Sequence, residues 1–148
     1  MAPPPLSLDP AVEAFIASRR VGHLATADAD GTPHVIPVCY AYDRGLVYSA
    51  LDLKPKRVPS RELKRVRNIR ANPRVALVVD DYSEEWDALA YVLIQGQATI
   101  LESGAERDRA ETLLREKYEQ YAEMLQEGCA TLRITPERVV AWGRPFAP

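Results

Sequence analysis

The stretch GHLATADADGTPHVIPV, residues 22–38, contains two short apolar runs separated by a polar turn sequence. Asp30 and Gly31 in that turn tolerate the positive φ values that a tight β-hairpin requires. The second run continues through further apolar and aromatic residues to position 42. This part of the chain therefore predicts two antiparallel strands, at residues 23–27 and 34–42, joined by a hairpin turn at residues 28–31.

The same alternation of short apolar runs and turn residues continues along most of the chain. Turns are predicted at residues 43–45, which contain Arg44-Gly45, and at residues 135–137. Gly96 marks a point where a long strand is expected to bend around a barrel. The further predicted strands lie at residues 46–51, 74–80, 90–101, 131–134 and 139–142. Many short strands without a strand-helix-strand rhythm favour an antiparallel barrel.

Three helices are predicted around these strands. The first begins at Asp9-Pro10, where aspartate is an N-cap and proline occupies the first helical position. The second ends before Asn72-Pro73, because proline disfavours the helical conformation of the residue that precedes it. The third opens with Ser103 and Glu106, which have capping-box spacing, and continues along an apolar face to Leu125.

Length and composition fit one domain. The chain has 148 residues, of which 47% are hydrophobic and 27% charged, and this is sufficient for a single buried core. We expect residues 1–8 to form a flexible proline-rich tail and residues 9–148 to form the domain. No apolar run reaches the roughly 20 residues that cross a bilayer, and the N-terminus lacks a signal-peptide pattern. A cytoplasmic location without a membrane partner is therefore expected.

Positive charge is concentrated in one segment. Residues 54–74 contain nine of the 19 lysine and arginine residues and the single acid Glu62, although the formal net charge of the chain is −2. Such segregation creates a positive surface that favours an anionic partner. Lys54, Lys56 and Arg57 fall at a corner between a strand and a helix, where they can hold a phosphate together. The cations at 61–70 form either a solvated helix face or a track for a longer anion.

Few side chains suggest acid-base, nucleophilic or metal chemistry, and the short motifs of hydrolases and phosphoryl-transfer enzymes are absent. His23 and His34 are interpreted as barrel or pocket residues, so no metal site is predicted. Cys39 and Cys129 lack CxxC spacing and are interpreted as packed, reduced thiols. Trp86, in an acidic link, is either an aromatic lid over a planar ring or a residue at a subunit contact.

A series of segments resembles, in order and spacing, the pyridoxamine 5′-phosphate oxidase-like split β-barrel proteins. The segments are residues 22–38, Tyr48-Ser49-Ala50, the cationic cluster at 54–57, residues 68–77, and Trp86 before a strand with Gln95-Gly96. The likeness covers residues 12–142 and is strongest to the actinobacterial branch that uses the deazaflavin coenzyme F420. It implies a mainly β fold with flanking helices, a six-stranded antiparallel split β-barrel that forms a homodimer with two cofactor sites between the subunits.

The resemblance also implies a cofactor site. The tricyclic ring is expected along residues 34–38, with the phosphate held by Ser49 and the cationic cluster at 54–57. The polyglutamate tail of coenzyme F420 makes the additional cations intelligible, whereas FMN, the alternative cofactor, ends at its phosphate. The residues implied to bind the cofactor are His34, Val35, Ile36, Pro37, Val38, Ser49, Ala50, Lys54, Lys56, Arg57, Arg61 and Trp86.

The function implied is that of a reductase, which passes a hydride from the reduced deazaflavin to a small conjugated electrophile without a catalytic side chain. Pyridoxamine phosphate oxidation is not expected, because the oxidases place basic residues at the position of His34 and near Cys39 and have a C-terminal substrate-phosphate set. Heme breakdown is not expected either, because the sequence has no evident axial ligand for heme iron. An FMN-dependent flavoprotein and a non-catalytic coenzyme F420 carrier are the alternatives. A nucleic-acid-binding module is a distant alternative, and the pI of about 5.7 argues against it.

Overall fold

The computed structural model describes residues 6–51 and 63–146. Within these residues, short 3₁₀ turns lie at Trp86–Ala88 and Arg144–Phe146. The helices and strands are α1 (Pro10–Ser18), β1 (Gly22–Ala27), β2 (Pro33–Val38), β3 (Ala41–Asp43), β4 (Leu46–Ala50), α2 (Lys64–Ala71), β5 (Arg74–Asp81), β6 (Ala90–Leu101), α3 (Ala105–Lys117), α4 (Tyr121–Met124) and β7 (Thr131–Gly143).

The seven strands form one antiparallel sheet in the order β2-β1-β5-β6-β7-β4-β3. The two outermost strands, β2 and β3, are joined by only Cys39 and Tyr40. Three peptide steps span at most about 11 Å, so the two edges of the sheet must come close together. The sheet is therefore rolled into a barrel that is split between β2 and β3.

Local sequence signals correctly placed the hairpin turns. Gly31 has a φ of +85° in the β1–β2 turn, and Arg44 and Gly45 have φ values of +49° and +84° in the β3–β4 turn. Two successive positive φ values are what a type I′ turn requires. Helix α1 begins at Pro10, and α2 ends directly before Asn72-Pro73, as predicted.

The prediction of six strands was wrong, because the described residues form seven. The predicted strand at 34–42 is divided into β2 and β3 where the chain crosses from one edge of the sheet to the other. At this crossing, the N–H of Tyr40 donates to the hydroxyl of Tyr118 at 3.0 Å. The Tyr40 hydroxyl in turn donates to the carbonyl of Ile16 in α1. Contacts to helices thus replace the strand pairing that the apolar pattern had predicted.

The predicted turn at 135–137 was also wrong. β7 is continuous from Thr131 to Gly143, and its pairing with β6 shifts by one residue opposite Gln95 and Gly96. The extra residue is absorbed as a β-bulge next to Pro136, which has no N–H to give to the ladder. A Cβ on Gly96 would lie 2.1 Å from the carbonyl oxygen of Thr135, so the bulge requires glycine there.

The third helix is shorter than the capping-box pattern predicted. α3 begins after Gly104, which has a φ of +104°, and no side chain caps its first turn. It ends at Lys117, and a separate short helix, α4, covers part of the expected remainder. The aromatic rings of Tyr118 and Tyr121 pack at a centroid distance of 5.3 Å where the two helices meet.

Two groups of buried side chains hold the fold together. The larger group fills the barrel and contacts α1 and α2, whereas the smaller lies beneath α3 and α4 and includes Tyr118, Tyr121 and Cys129. The inward positions alternate along the strands, as period-two patterning requires. Fully buried barrel residues include Leu24, Val47, Leu77, Ile94 and Leu132. In the part of the chain that the structure describes, no helix is long and apolar enough to span a bilayer.

Candidate functional site

A pocket of about 290 Å³ lies at the split of the barrel, where the end of β2 faces the end of β4. We call it the split pocket. Five of the predicted cofactor residues line it: Ile36, Pro37, Val38, Ser49 and Ala50. The other lining residues are Val21, Cys39, Arg65 and Tyr121. The closeness of the two sheet edges, a property of the topology, brings these distant segments together.

Arg65 is a residue of the split pocket that sequence analysis did not single out. Its Nε is buried and has no hydrogen-bond partner among the described residues. Burial lowers the pKa of the Arg65 guanidinium below its ordinary value, because desolvation disfavours the charged form. A guanidinium remains protonated in proteins, so an anion entering the pocket can pair with this half-buried positive charge.

Ser49 and Tyr121 supply the hydroxyl groups of the split pocket. The Oγ of Ser49 donates to the carbonyl of Cys39 at 2.8 Å, which ties β4 to the crossing between β2 and β3. Burial, with a further contribution from Cys39, raises the pKa of the Tyr121 phenol. Tyr121 is therefore a neutral hydroxyl at physiological pH. No Asp or Glu is among the described residues that line the pocket, so none of these side chains repels an anionic group.

His34 and Val35 lie on β2 but do not line the split pocket. Val35 points outward and is 60% exposed. His34 faces the opposite side of the strand, pairs with Thr26 in β1, and has a buried Nδ1 without a hydrogen-bond partner in the described residues. The side chains of His34 and Val35 therefore lie on opposite faces of β2, outside the lining of the split pocket.

Trp86 lies in a different part of the subunit. It is 73% exposed and lines a groove of about 590 Å³ together with Trp142 and Phe146. It does not line the split pocket of its own subunit. The four predicted cations Lys54, Lys56, Arg57 and Arg61 lie outside the described residues.

The described ranges, 6–51 and 63–146, contain no group of three or more His, Cys, Asp or Glu residues arranged to hold a metal ion. Cys39 is partly buried and Cys129 is buried. The split pocket combines apolar surface, hydroxyl groups and the Arg65 guanidinium, whose Nε has no partner among the described residues. The residues present thus fit a ligand with a planar apolar part and an anionic group.

Fold and pocket together define a split β-barrel protein with a pocket at the split. Residues 8–143 match the profile of the pyridoxamine 5′-phosphate oxidase family, and the chain belongs to that family. Since the match covers nearly the whole domain, it confirms the sequence-based resemblance to the split β-barrel superfamily. The finer assignment to a coenzyme F420 branch is a matter for the proposal below.

Three relatives illustrate this similarity. The chain is 30% identical to the 5a,11a-dehydrotetracycline/5a,11a-dehydrooxytetracycline reductase of Streptomyces rimosus over 87% of this chain and 78% of the reductase. The structure of a conserved hypothetical protein from Mycobacterium tuberculosis matches with a TM-score of 0.77 and 24% identity, covering 97% of this chain and 90% of that one. A FAD-binding protein from Mesorhizobium loti matches with a TM-score of 0.68 and 26% identity, over 90% and 94% of the two chains.

Proposed function

We propose that this protein is a reductase that uses coenzyme F420 to reduce a small conjugated electrophile. The observation that carries the proposal is the split pocket, in which the half-buried Arg65, whose Nε has no hydrogen-bond partner among the described residues, lies beside an apolar strand edge. The similarity to a protein named as a reductase supports the class of reaction. Reduced coenzyme F420, when bound, supplies a hydride.

The edge of β2 is suited to the ring of the cofactor. β2 is the first strand in the sheet order, and among the described residues it pairs only with β1, so its other side has backbone groups that no described strand satisfies. Successive residues of a strand direct their N–H and C=O groups to alternate sides, so every second residue of β2 presents these groups to the free edge. This edge therefore provides hydrogen-bonding groups for a heterocycle while the side chains provide apolar surface.

The anionic end of the cofactor is assigned to Arg65 and Ser49, assisted by the cluster at 54–57. Arg65 projects from the second residue of α2 and reaches the pocket beside Ser49. A guanidinium can donate two parallel hydrogen bonds to a phosphate, which fixes orientation as well as affinity. The cluster at 54–57 lies in the segment that leads from β4 to α2, and we propose that it completes the phosphate site.

The choice between coenzyme F420 and FMN depends on the number of cations. Arg67 and Arg70 in α2 are exposed, and together with the cluster at 54–57 they exceed what one phosphate requires. A polyglutamate tail would use these charges, and FMN has none. FMN or a related flavin is the second candidate, because the similar protein from Mesorhizobium loti is described as FAD-binding.

We propose that the protein acts as a homodimer with its cofactor sites between the subunits. A row of outward positions crosses the sheet from Pro37 through His23, Val78 and Leu93 to Val140, and most of these side chains are apolar and at least partly exposed. Stable dimers bury about 1,200–2,000 Å² in total, which a face of this breadth can supply. A predicted contact between Trp86 and the cofactor requires this second subunit.

The lining of the split pocket indicates what the protein contributes to the proposed reaction. None of the described residues that line it is an Asp, Glu or His. The proposed contribution of the chain is to position the reactants, exclude water and bind the anionic end. The substrate named for the similar reductase is a fused-ring conjugated compound, and we propose an electrophile of that general kind.

Titration of the purified protein with coenzyme F420 and with FMN, followed by fluorescence, tests the proposal. We expect tighter binding of coenzyme F420, and light scattering should give the mass of a dimer. Binding of FMN without binding of the deazaflavin would reverse the cofactor assignment. A carrier without turnover would bind coenzyme F420 and leave every conjugated enone and quinone in a substrate screen unreduced. Steeply salt-dependent binding to DNA would favour the nucleic-acid alternative.

A further inference from the structure

Two positive side chains, one between α1 and β1 and one at the end of α3, lie beside the same aromatic ring. The Arg20 guanidinium carbon is 4.6 Å from the centroid of the Tyr118 ring, and the Lys117 Nζ is 5.3 Å from it. The Lys117 Nζ also lies 3.9 Å from the centroid of the Tyr40 ring and donates to the Tyr40 carbonyl at 2.9 Å. We call Arg20 and Lys117 the cation pair.

The cation pair has no acidic partner among residues 6–51 and 63–146, because neither member forms an ion pair there. The adjacent Arg19 differs in this respect, since it holds Asp81 through two hydrogen bonds of 2.6 Å. Burial, together with the positive charge of Arg20, lowers the pKa of Lys117 to about 8. An anion bound between Arg20 and Lys117 would offset the repulsion between them.

The cation pair borders the split pocket. Arg20 directly precedes Val21, which is a lining residue of that pocket. Lys117 contacts the carbonyl of Tyr40, which directly follows the lining residue Cys39. The cation assigned to the phosphate lies on α2, whereas the cation pair lies beside the ends of α1 and α3. Separate elements therefore provide positive charge around the pocket, and a second anionic group can be bound there.

We propose that the cation pair binds a carboxylate of the substrate, and that the substrate is therefore an anionic conjugated molecule. Arg20 and Lys117 can both donate charge-assisted hydrogen bonds to carboxylate oxygens. The phosphate and the tail of the cofactor are already assigned to Arg65, Ser49, the cluster at 54–57 and the exposed arginines of α2, which leaves the cation pair for the second reactant. The description of this ligand as the substrate rests on the proposed reductase function, whereas the binding of a carboxylate does not.

Binding of cinnamate, a planar conjugated carboxylate, tests this site when it is compared with its neutral amide, cinnamamide. Both are titrated into the full-length protein by calorimetry at low salt, with and without coenzyme F420. We expect cinnamate to bind roughly 30-fold more tightly at neutral pH. Lys117→Met should weaken cinnamate about tenfold, and Arg20→Gln, at an exposed position, about threefold. Lys117→Arg should retain most of the affinity. Because Arg20 is exposed, its variant tests the site even if Lys117→Met disturbs packing. Arg44→Gln removes an exposed positive charge in the β3–β4 turn and is the matched control.

The preference for cinnamate should also depend on pH. The titratable and charged groups around the Lys117 amino group are Arg20, Cys39, Tyr40 and Tyr118. Burial raises the pKa of both phenols, so they stay neutral, and Arg20 stays protonated. The preference should therefore be complete below about pH 7 and fall as the pH rises above about 8, because only the protonated amine pairs with an anion. Cys39→Ala should show the same pH profile, since the thiol is not the group responsible.

Each result bears on one part of the proposal. Equal affinities for cinnamate and cinnamamide, a preference that persists in both cation-pair variants, or an equal loss in Arg44→Gln would overturn the anion site. Loss of the preference in Arg65→Met instead would place the carboxylate at the phosphate site, with the same consequence. If the cation-pair variants weaken coenzyme F420 rather than cinnamate, the pair binds the cofactor and the substrate class is overturned. If the deazaflavin fails to bind while cinnamate behaves as expected, the reductase function fails and the carboxylate site stands.

Discussion

The substitution Arg65→Met tests whether the Arg65 guanidinium binds the anionic end of the cofactor. It separates an effect on binding from an effect on folding. Methionine keeps an unbranched apolar stem and removes the guanidinium, whose Nε is buried without a partner in the described residues. Charged hydrogen bonds contribute about 1.5–3 kcal/mol, so affinity for the phosphate-bearing cofactor should fall roughly 10- to 150-fold. The ligand-free protein should not be destabilised, because the substitution removes a desolvated charge rather than a contact.

Because Arg65 is only half-buried, solvent screening limits any gain in stability of the ligand-free variant to about 1 kcal/mol. This corresponds to a rise in Tm of at most about 2–4 °C for a domain of this size. Differential scanning fluorimetry without ligand and calorimetric titration with the cofactor that wild type binds measure the two quantities. Arg70→Met is the matched control, because Arg70 lies on the same helix and makes an exposed ion pair with Glu102 at 3.4 Å. A loss of affinity below threefold, or a clearly destabilised ligand-free variant, would refute the assignment.

Three further predictions concern the scaffold. Gly96→Ala should lower the unfolding free energy by about 3 kcal/mol and the Tm by about 6–12 °C, because the new Cβ would meet the Thr135 carbonyl at 2.1 Å. Tyr118→Phe should cost about 1–3 kcal/mol in urea unfolding, since it leaves the buried N–H of Tyr40 without its acceptor. Glu111→Gln should cost about 3 kcal/mol at pH 7, because it breaks a largely buried carboxylate-diarginine contact.

The Glu111 prediction also has a pH dependence. Burial raises the pKa of this carboxyl, but the hydrogen bonds from Arg107, Gly128 and Arg115 together lower it by a larger amount. The net pKa of Glu111 therefore lies below the ordinary 4.5. The stabilisation is therefore complete above pH 4.5 and is lost as the pH falls through the lower folded value. Wild type and Glu111→Gln should converge in stability below that pH, which urea unfolding across the acid range can measure.

Matched controls separate these effects from general damage. Gly22→Ala places a Cβ 2.8 Å from the movable Cδ1 of Leu77, so it should cost less than Gly96→Ala. Tyr82→Phe and Glu119→Gln change exposed side chains and should leave stability within about 0.5 kcal/mol of wild type. Equal losses in the two glycine variants would show that the strand bulge tolerates a Cβ. An undiminished difference between Glu111→Gln and wild type at low pH would contradict the proposed origin of the acid sensitivity.

Some residues of the split pocket could be predicted from the sequence, and others could not. The sequence indicated Ile36, Pro37, Val38, Ser49 and Ala50 through the family resemblance, and the structure brings these residues into one pocket. It did not single out Arg65, which resembles the neighbouring exposed arginines in its local pattern. Only the position of α2 beside the split determines which arginine enters the pocket.

Local residue patterns placed the turns at 28–31 and 43–45, the start of α1 and the end of α2, because turn formation and capping depend on residues a few positions apart. The tertiary structure alone decided the division at Cys39-Tyr40, the continuous strand through Pro136 and the stacking of Tyr91 on Trp142. Each of these depends on which strands become neighbours after the sheet closes. Packing between segments far apart in the chain determines which strands become neighbours, and local sequence patterns do not encode it.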